Sequence, residues 1–195
     1  MAGVDNVSMV GNEPLRERLV GAGVDMLEEV GAAQLGLRAI TRAAGVSHGA
    51  PRRHFPTHRA LLAAIAARGF ADLIDRFAKA EEGATTPREH LQRMAAEYVE
   101  FAGERPEMFT LMFRHDLLEG SGENLRSITL PLFERFAALV AEAAPAATDP
   151  RAAAIALWTN LHGIAALQAN RSLRLVGPAT SARALVGQIL ALHLA

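Results

Sequence analysis

The chain has 195 residues, half of them apolar, no cysteine and a formal net charge of −1. This composition argues against disorder and excludes a disulfide framework and thiolate metal or redox chemistry. No apolar run approaches the ~18–20 residues of a membrane helix; the longest, Ala60 to Ala67, has eight and is mostly alanine. The N-terminus has no basic region followed by an apolar core, so no secretory signal is read and a cytoplasmic protein without membrane contact is expected.

Charge is unevenly placed. Between Gly31 and Phe70 stand six arginines and no Asp or Glu, while the other 14 basic residues share the chain with 21 acidic ones. A basic N-terminal region on an acidic body is the asymmetry of a one-sided polyanion binder.

Residues 1–12 lack periodicity and read as a tail. From Glu13, apolar residues at Leu15, Leu19, Ala22, Met26, Leu27 and Val30 fall on one helical stripe. Pro14 suits its first turn and Gly31 its end. Leu37, Ile40 and Ala44 form the inner face of a shorter second helix. Gly45-Val46-Ser47 then supplies a turn: glycine for the left-handed stop, valine to fill the angle, serine to cap the next helix. Two helices joined by such a turn make a helix-turn-helix. The second of them runs from His48 to His54, Phe55 enters the core, and Pro56 stops it. Thr57 caps a long helix through Leu61, Leu62 and Ile65 toward Ala80.

A loop is expected at 81–87, with Thr86 capping a helix from Pro87 to Phe101. Gly103 to Pro106 reads as a break, followed by a helix from Glu107 carrying Met108, Phe109, Met112 and Phe113. After a loop at 120–123, helices are expected over about 125–143, 150–172 and 179–194. No strand or internal repeat is evident. The fold class is all-α, with roughly nine helices, a helix-turn-helix domain over 13–70 and a second helical domain over 71–195.

The second helix of such a motif meets base edges with its first residues, here Ser47, His48, Gly49 and Ala50. Arg52 and Arg53, a turn further on, suit guanine edges or phosphates, and the sequence does not separate the two. Arg38, Arg42, His54, His58 and Arg59 are placed to hold phosphates.

These residues carry a resemblance. Leu15 to Phe70 resembles the DNA-binding domain of TetR-family transcriptional regulators, through Leu37-Arg38-Ala39-Ile40, Ala43-Ala44-Gly45-Val46-Ser47 and His54-Phe55-Pro56. The resemblance implies a homodimer on double-stranded operator DNA, a recognition helix over 47–54 and a C-terminal lobe that binds a small effector. Arg52 stands where the family usually has an aromatic residue, Pro51 where leucine is common and His58 where lysine is frequent. Further along, Pro106-Glu107-Met108-Phe109 and the Trp158…His162-Gly163 pattern are similar to a C-terminal domain type with a Trp-His-Gly signature.

Trp158 and His162 share a helix face. With Tyr98, Phe109, Met112, Phe113 and His115 they form a candidate pocket for an apolar or aromatic effector; a core tryptophan beside a hydrogen-bonded histidine explains the same pattern. Gly163 inside a helix suggests a close helix approach. Leu157, Leu161 and Ile164, with Leu185, Ile189 and Leu192, suit a dimer interface of four helices, and packing within one chain fits equally.

Two enzymatic rivals fail. Gly45-Val46-Ser47-His48-Gly49 spells the nucleophile elbow of serine hydrolases, but that elbow needs a preceding strand and a large sheet. His48, His54 and His58 do not form a metal site, because Pro56 interrupts the helical spacing of the last two. No metal, cofactor or enzymatic activity is expected. The function read from the sequence is a ligand-responsive repressor, and the alternative is a helical DNA-binding protein without a small-molecule effector, acting constitutively or through a protein partner.

Overall fold

A computed structural model describes residues 14–46, 53–177 and 179–194, and every regular element among them is helical. In chain order these are α1 (Leu15–Gln34), α2 (Leu37–Ala43), α3 (His58–Ala80), α4 (Pro87–Glu104), α5 (Pro106–Met112), α6 (His115–Leu118), α7 (Arg126–Ala143), α8 (Pro150–Ala169), α9 (Leu173–Val176) and α10 (Ala182–His193). The expected tail and Ser47 to Arg52 lie outside the described residues.

The first core is small and built on the expected stripe. Leu19, Leu27, Leu35, Ile40, Phe55, Leu61 and Ile65 are almost wholly buried together. Gly23 lets α1 lie against α3, since a methyl group there would collide with Ile65 Cδ1. The stop expected at Gly31 is real: its φ of 71° breaks the helical path before one further turn to Gln34. At the turn after α2, Gly45 takes a φ of 64°, which glycine tolerates without strain. The carbonyl of Ala44 accepts a hydrogen bond from Arg18 of α1 at 2.6 Å, so a side chain supplies the partner that the helix end lacks.

Helix α3 joins this core to the rest of the molecule without interruption. Thr57 caps it, its hydroxyl accepting from the Ala60 amide at 3.1 Å. The expected domain boundary at residue 70 falls in mid-helix, because the apolar face simply changes neighbours. At the far end the buried Glu81 carboxylate takes His90 of α4 and Arg135 of α7, both at 2.7 Å on the same oxygen, and its other oxygen has no partner among the described residues. Thr86 and Glu89 form a reciprocal capping box at the start of α4.

Three local expectations change. Gly103 lies inside α4, which runs on to Glu104, and its missing side chain leaves room for Gln168 of α8. Gly163 has open space around it, so it marks an outer face of α8 and no close approach. The helix expected over 150–172 ends at Ala169, and α9 forms separately after Arg171, whose φ is 61°.

Candidate nucleic-acid interface and ligand cavity

The described basic residues of α2 and of the start of α3 face outward. Arg38 and Arg42 lie one turn apart on α2. Arg53 and His54 precede α3, and His58 and Arg59 open it; all six are exposed. Among the described residues, the side chains of Arg38, Arg42, Arg53 and Arg59 form no ion pair or hydrogen bond. The first turn of α3 holds no acid, so its positive dipole end adds to these charges. Such a surface suits phosphate oxygens.

His58 is more constrained than expected. Its Nε2–H donates to the Leu35 carbonyl at 2.6 Å. Only a protonated ring then has a second N–H left for a phosphate. Ser47, His48, Gly49, Ala50 and Arg52, the expected base-facing residues, lie outside the described residues.

The second region is a cavity of about 940 Å³ bounded by α3, α4, α5, α6, α7 and α8. Its walls are aromatic and apolar, including Phe70, Phe77, Tyr98, Phe113, Phe133 and Trp158, while Glu119, Glu123, Asn124 and Arg126 sit at a polar rim. Of the expected pocket residues, Tyr98, Met112, Phe113, His115 and Trp158 line it.

Phe109 and His162 do not line it; they stand behind the wall and set its shape. Tyr98 donates its hydroxyl to His162 Nδ1 at 2.7 Å. The Trp158 ring stacks on His162 with centroids 5.4 Å apart, and Phe109 meets Tyr98 edge-on at 5.5 Å. Burial lowers the pKa of His162 from its usual 6.5, so the ring is neutral at pH 7 with Nδ1 free to accept. Burial also drives the Tyr98 phenol far above its ordinary range, against a smaller opposing contribution from Trp158, so it stays protonated as the donor. A hydrogen-bonded, half-buried histidine and a cavity thus lie side by side.

Sequence reasoning missed Phe70, Leu73 and Phe77 as cavity residues. Their spacing of three and four along α3 was the available signal. It also missed Phe133 and Phe136 of α7, and the rim between α6 and α7.

The residues expected at a dimer interface divide. Leu157, Leu161 and Ile164 are 0%, 2% and 8% exposed, so they belong to the core of one chain and not to a face for a second. Leu185 and Ile189 are half-buried and Leu192 is exposed. On α8 the outward residues include Ile155, Thr159, Asn160, Gly163 and Leu167. Helices α8 and α10 thus share an outer face without a charged side chain between Thr159 and Leu167 or between Ala184 and Leu192.

Exposed cations without an ion-pair partner among the described residues thus lie beside the helix-turn segment, and one of them, Arg59, stands on the long helix that walls the aromatic cavity, an arrangement that fits a DNA-binding transcriptional regulator. The chain belongs to the TetR family. Residues 19–65 match the family model for bacterial regulatory proteins of the tetR family, and residues 91–191 match a tetracyclin repressor-like C-terminal domain. Among solved structures, a protein of unknown function from Rhodococcus sp. RHA1 is 28% identical with a TM-score of 0.80, over 96% of this chain and 97% of that one. A TetR-like transcriptional regulator from the same organism is 20% identical with a TM-score of 0.68, over 93% and 96% of the chains. The regulator FadR from Bacillus subtilis in complex with stearoyl-CoA is 16% identical with a TM-score of 0.68, over 92% and 97%. The last two likenesses speak to the fold. No curated protein matches the chain. Among the described residues no helix is long and apolar enough to cross a membrane.

Proposed function

We propose that the protein is a homodimeric, ligand-responsive repressor in the cytoplasm, which leaves its operator when a small apolar or aromatic molecule fills the cavity. Residues 13–70 serve as the reading head, and residues 71–195 serve as an effector and dimer lobe of the Trp-His-Gly type. Ser47, His48, Gly49 and Ala50 face bases, Arg52 and Arg53 bases or phosphates, and Arg38, Arg42, His54 and Arg59 phosphates.

The observation that carries this reading is α3. One continuous helix opens with Arg59 at the basic face and ends with Phe70, Leu73 and Phe77 in the cavity wall. A change at the wall therefore has a rigid path to the head, without requiring any loop to transmit it. A second copy fits the uncharged outer face of α8 and α10, and a head of this size reads a palindrome only in pairs, about 34 Å apart. By linkage, effector and operator weaken each other's binding by the same factor.

Selection of bound fragments from genomic DNA, followed by gel shift, tests the reading. It predicts a small set of partly palindromic sites. Trp158 is the only tryptophan of the chain and lines the cavity, so its fluorescence reports occupancy directly. A compound that quenches Trp158 and releases the selected fragment supports the repressor. A fragment whose binding no cavity ligand alters supports the alternative, a regulator without an effector.

A further inference from the structure

We propose that the Arg16–Glu123 ion pair couples the rim of the cavity to the reading head. This deepens the proposed function and rests on it. Arg16 stands in the first turn of α1, and its Nη2 lies 2.6 Å from Glu123 Oε1, across 107 residues of sequence. Glu123 lines the cavity at the loop between α6 and α7. The Arg16 guanidinium also lies over the Phe55 ring, 5.4 Å from its centroid, and its Nη1 is 3.6 Å from Glu17 of the same helix. Phe55 is almost wholly buried and directly follows the expected recognition helix, 47–54. One cation therefore touches both the cavity rim and the anchor of the reading segment.

A second tie fixes the other end of α1. Glu28 accepts hydrogen bonds from the amides of Glu107 and Met108 at 3.2 and 3.1 Å and from Arg105 at 3.4 Å, closing the start of α5. None of these groups lines the cavity. Arg16 and Glu28 are 12 residues apart on one helix, a lever of about 18 Å. With Glu28 as the pivot, movement of the rim loop shifts the Arg16 end of α1 and, with it, the packing over Phe55. The pair is part-exposed, 40% and 31% at the two side chains, so it contributes little to stability and its variants are expected to fold. Its place between two sites is what gives it a role.

The test uses the full chain and an operator fragment selected from genomic DNA. The probe is N-phenyl-1-naphthylamine, an apolar fluorophore whose neutrality keeps it from competing for the basic head. Glu123→Gln removes a negative charge, so simple electrostatics predicts equal or tighter DNA binding. Coupling predicts the opposite: about a fivefold loss of operator affinity, with Arg16→Gln/Glu123→Gln no weaker than Arg16→Gln alone. The factor by which probe and operator weaken each other shrinks toward one in Glu123→Gln. Unchanged or tighter operator binding by Glu123→Gln, additive losses in the double variant, or the same probe–operator factor in both proteins each overturns the inference. A wild-type chain that retains no genomic fragment sinks the DNA-binding reading as well, which separates the two failures.

Discussion

The arginines of the two ends of the molecule are used in opposite ways. In the C-terminal lobe most are spent on carboxylates: Arg76 holds Glu97, Glu104 and Asp72, Arg135 reaches Glu81, Arg151 meets Glu134 and Arg183 meets Glu100. The Glu104 carboxylate, the largest influence on Arg76, raises its pKa further. Near α2 and the start of α3, Arg38, Arg42, Arg53 and Arg59 have no such partner among the described residues. A paired cation is already neutralised and gains little from a phosphate. An unpaired one releases condensed counterions when it binds DNA. Net charge near zero therefore conceals a strong local field, and the pairing pattern places it.

Packing differs between the same regions. The head core is dense, with Phe55 enclosed on all sides, whereas the lobe leaves about 940 Å³ open among aromatic rings. Truncations should cost unequally. Phe55→Ala is expected to destabilise the chain by about 3–5 kcal/mol, because the ring leaves a void that its neighbours cannot fill. Phe133→Ala in the cavity wall should cost less, about 1–2 kcal/mol, since part of its ring already faces open space. Urea unfolding of both variants measures the contrast, and equal losses would remove it.

The charge contrast is broken by alanine substitution at either end. Arg38→Ala, Arg42→Ala and Arg59→Ala together should weaken operator binding on the order of 100-fold. Arg151→Ala with Arg183→Ala should change it less than about twofold, since those cations are paired and exposed. Smaller again is the effect of the capping box: Thr86→Ala should lower stability by about 1 kcal/mol while leaving DNA binding alone.

The smallest expected effect concerns pH. Burial lowers the pKa of His162 from 6.5, so as pH falls below that value the unfolded chain takes up a proton that the folded chain refuses. Stability from this group is complete above pH 6.5 and is lost as pH falls toward the lowered folded value. Melting curves at about pH 7.5 and 5.5 should show a smaller acid loss for His162→Gln than for wild type.

Much of this was legible in the chain, and the limits have a physical cause. Helical periodicity and end signals located α1, α3 and α4: Gly31 stops one, and Thr57 and Thr86 start the others, because these are local effects of backbone geometry and capping. The turn at Gly45 and the burial of Phe55 followed from the same reasoning. Periodicity says which face of a helix is apolar but not what covers it. Leu157, Leu161 and Ile164 were therefore expected at a dimer contact and lie in the chain's own core, while Gly103 and Gly163 exchanged meanings: one makes room for Gln168 and the other faces outward. The cavity was legible in part. Tyr98, Met112, Phe113, His115 and Trp158 line it, but the contribution of α3 and the Arg16–Glu123 pair depends on chain segments far apart in sequence.

The central claim, that the basic head and not the acidic lobe holds DNA, is tested most directly by the salt dependence of operator binding. Gel-shift titrations from about 50 to 200 mM salt should give a steep fall in affinity for wild type, and Arg52→Ala with Arg53→Ala should bind more weakly and reduce that slope by about 2. An unchanged affinity and slope in that double variant would contradict the account.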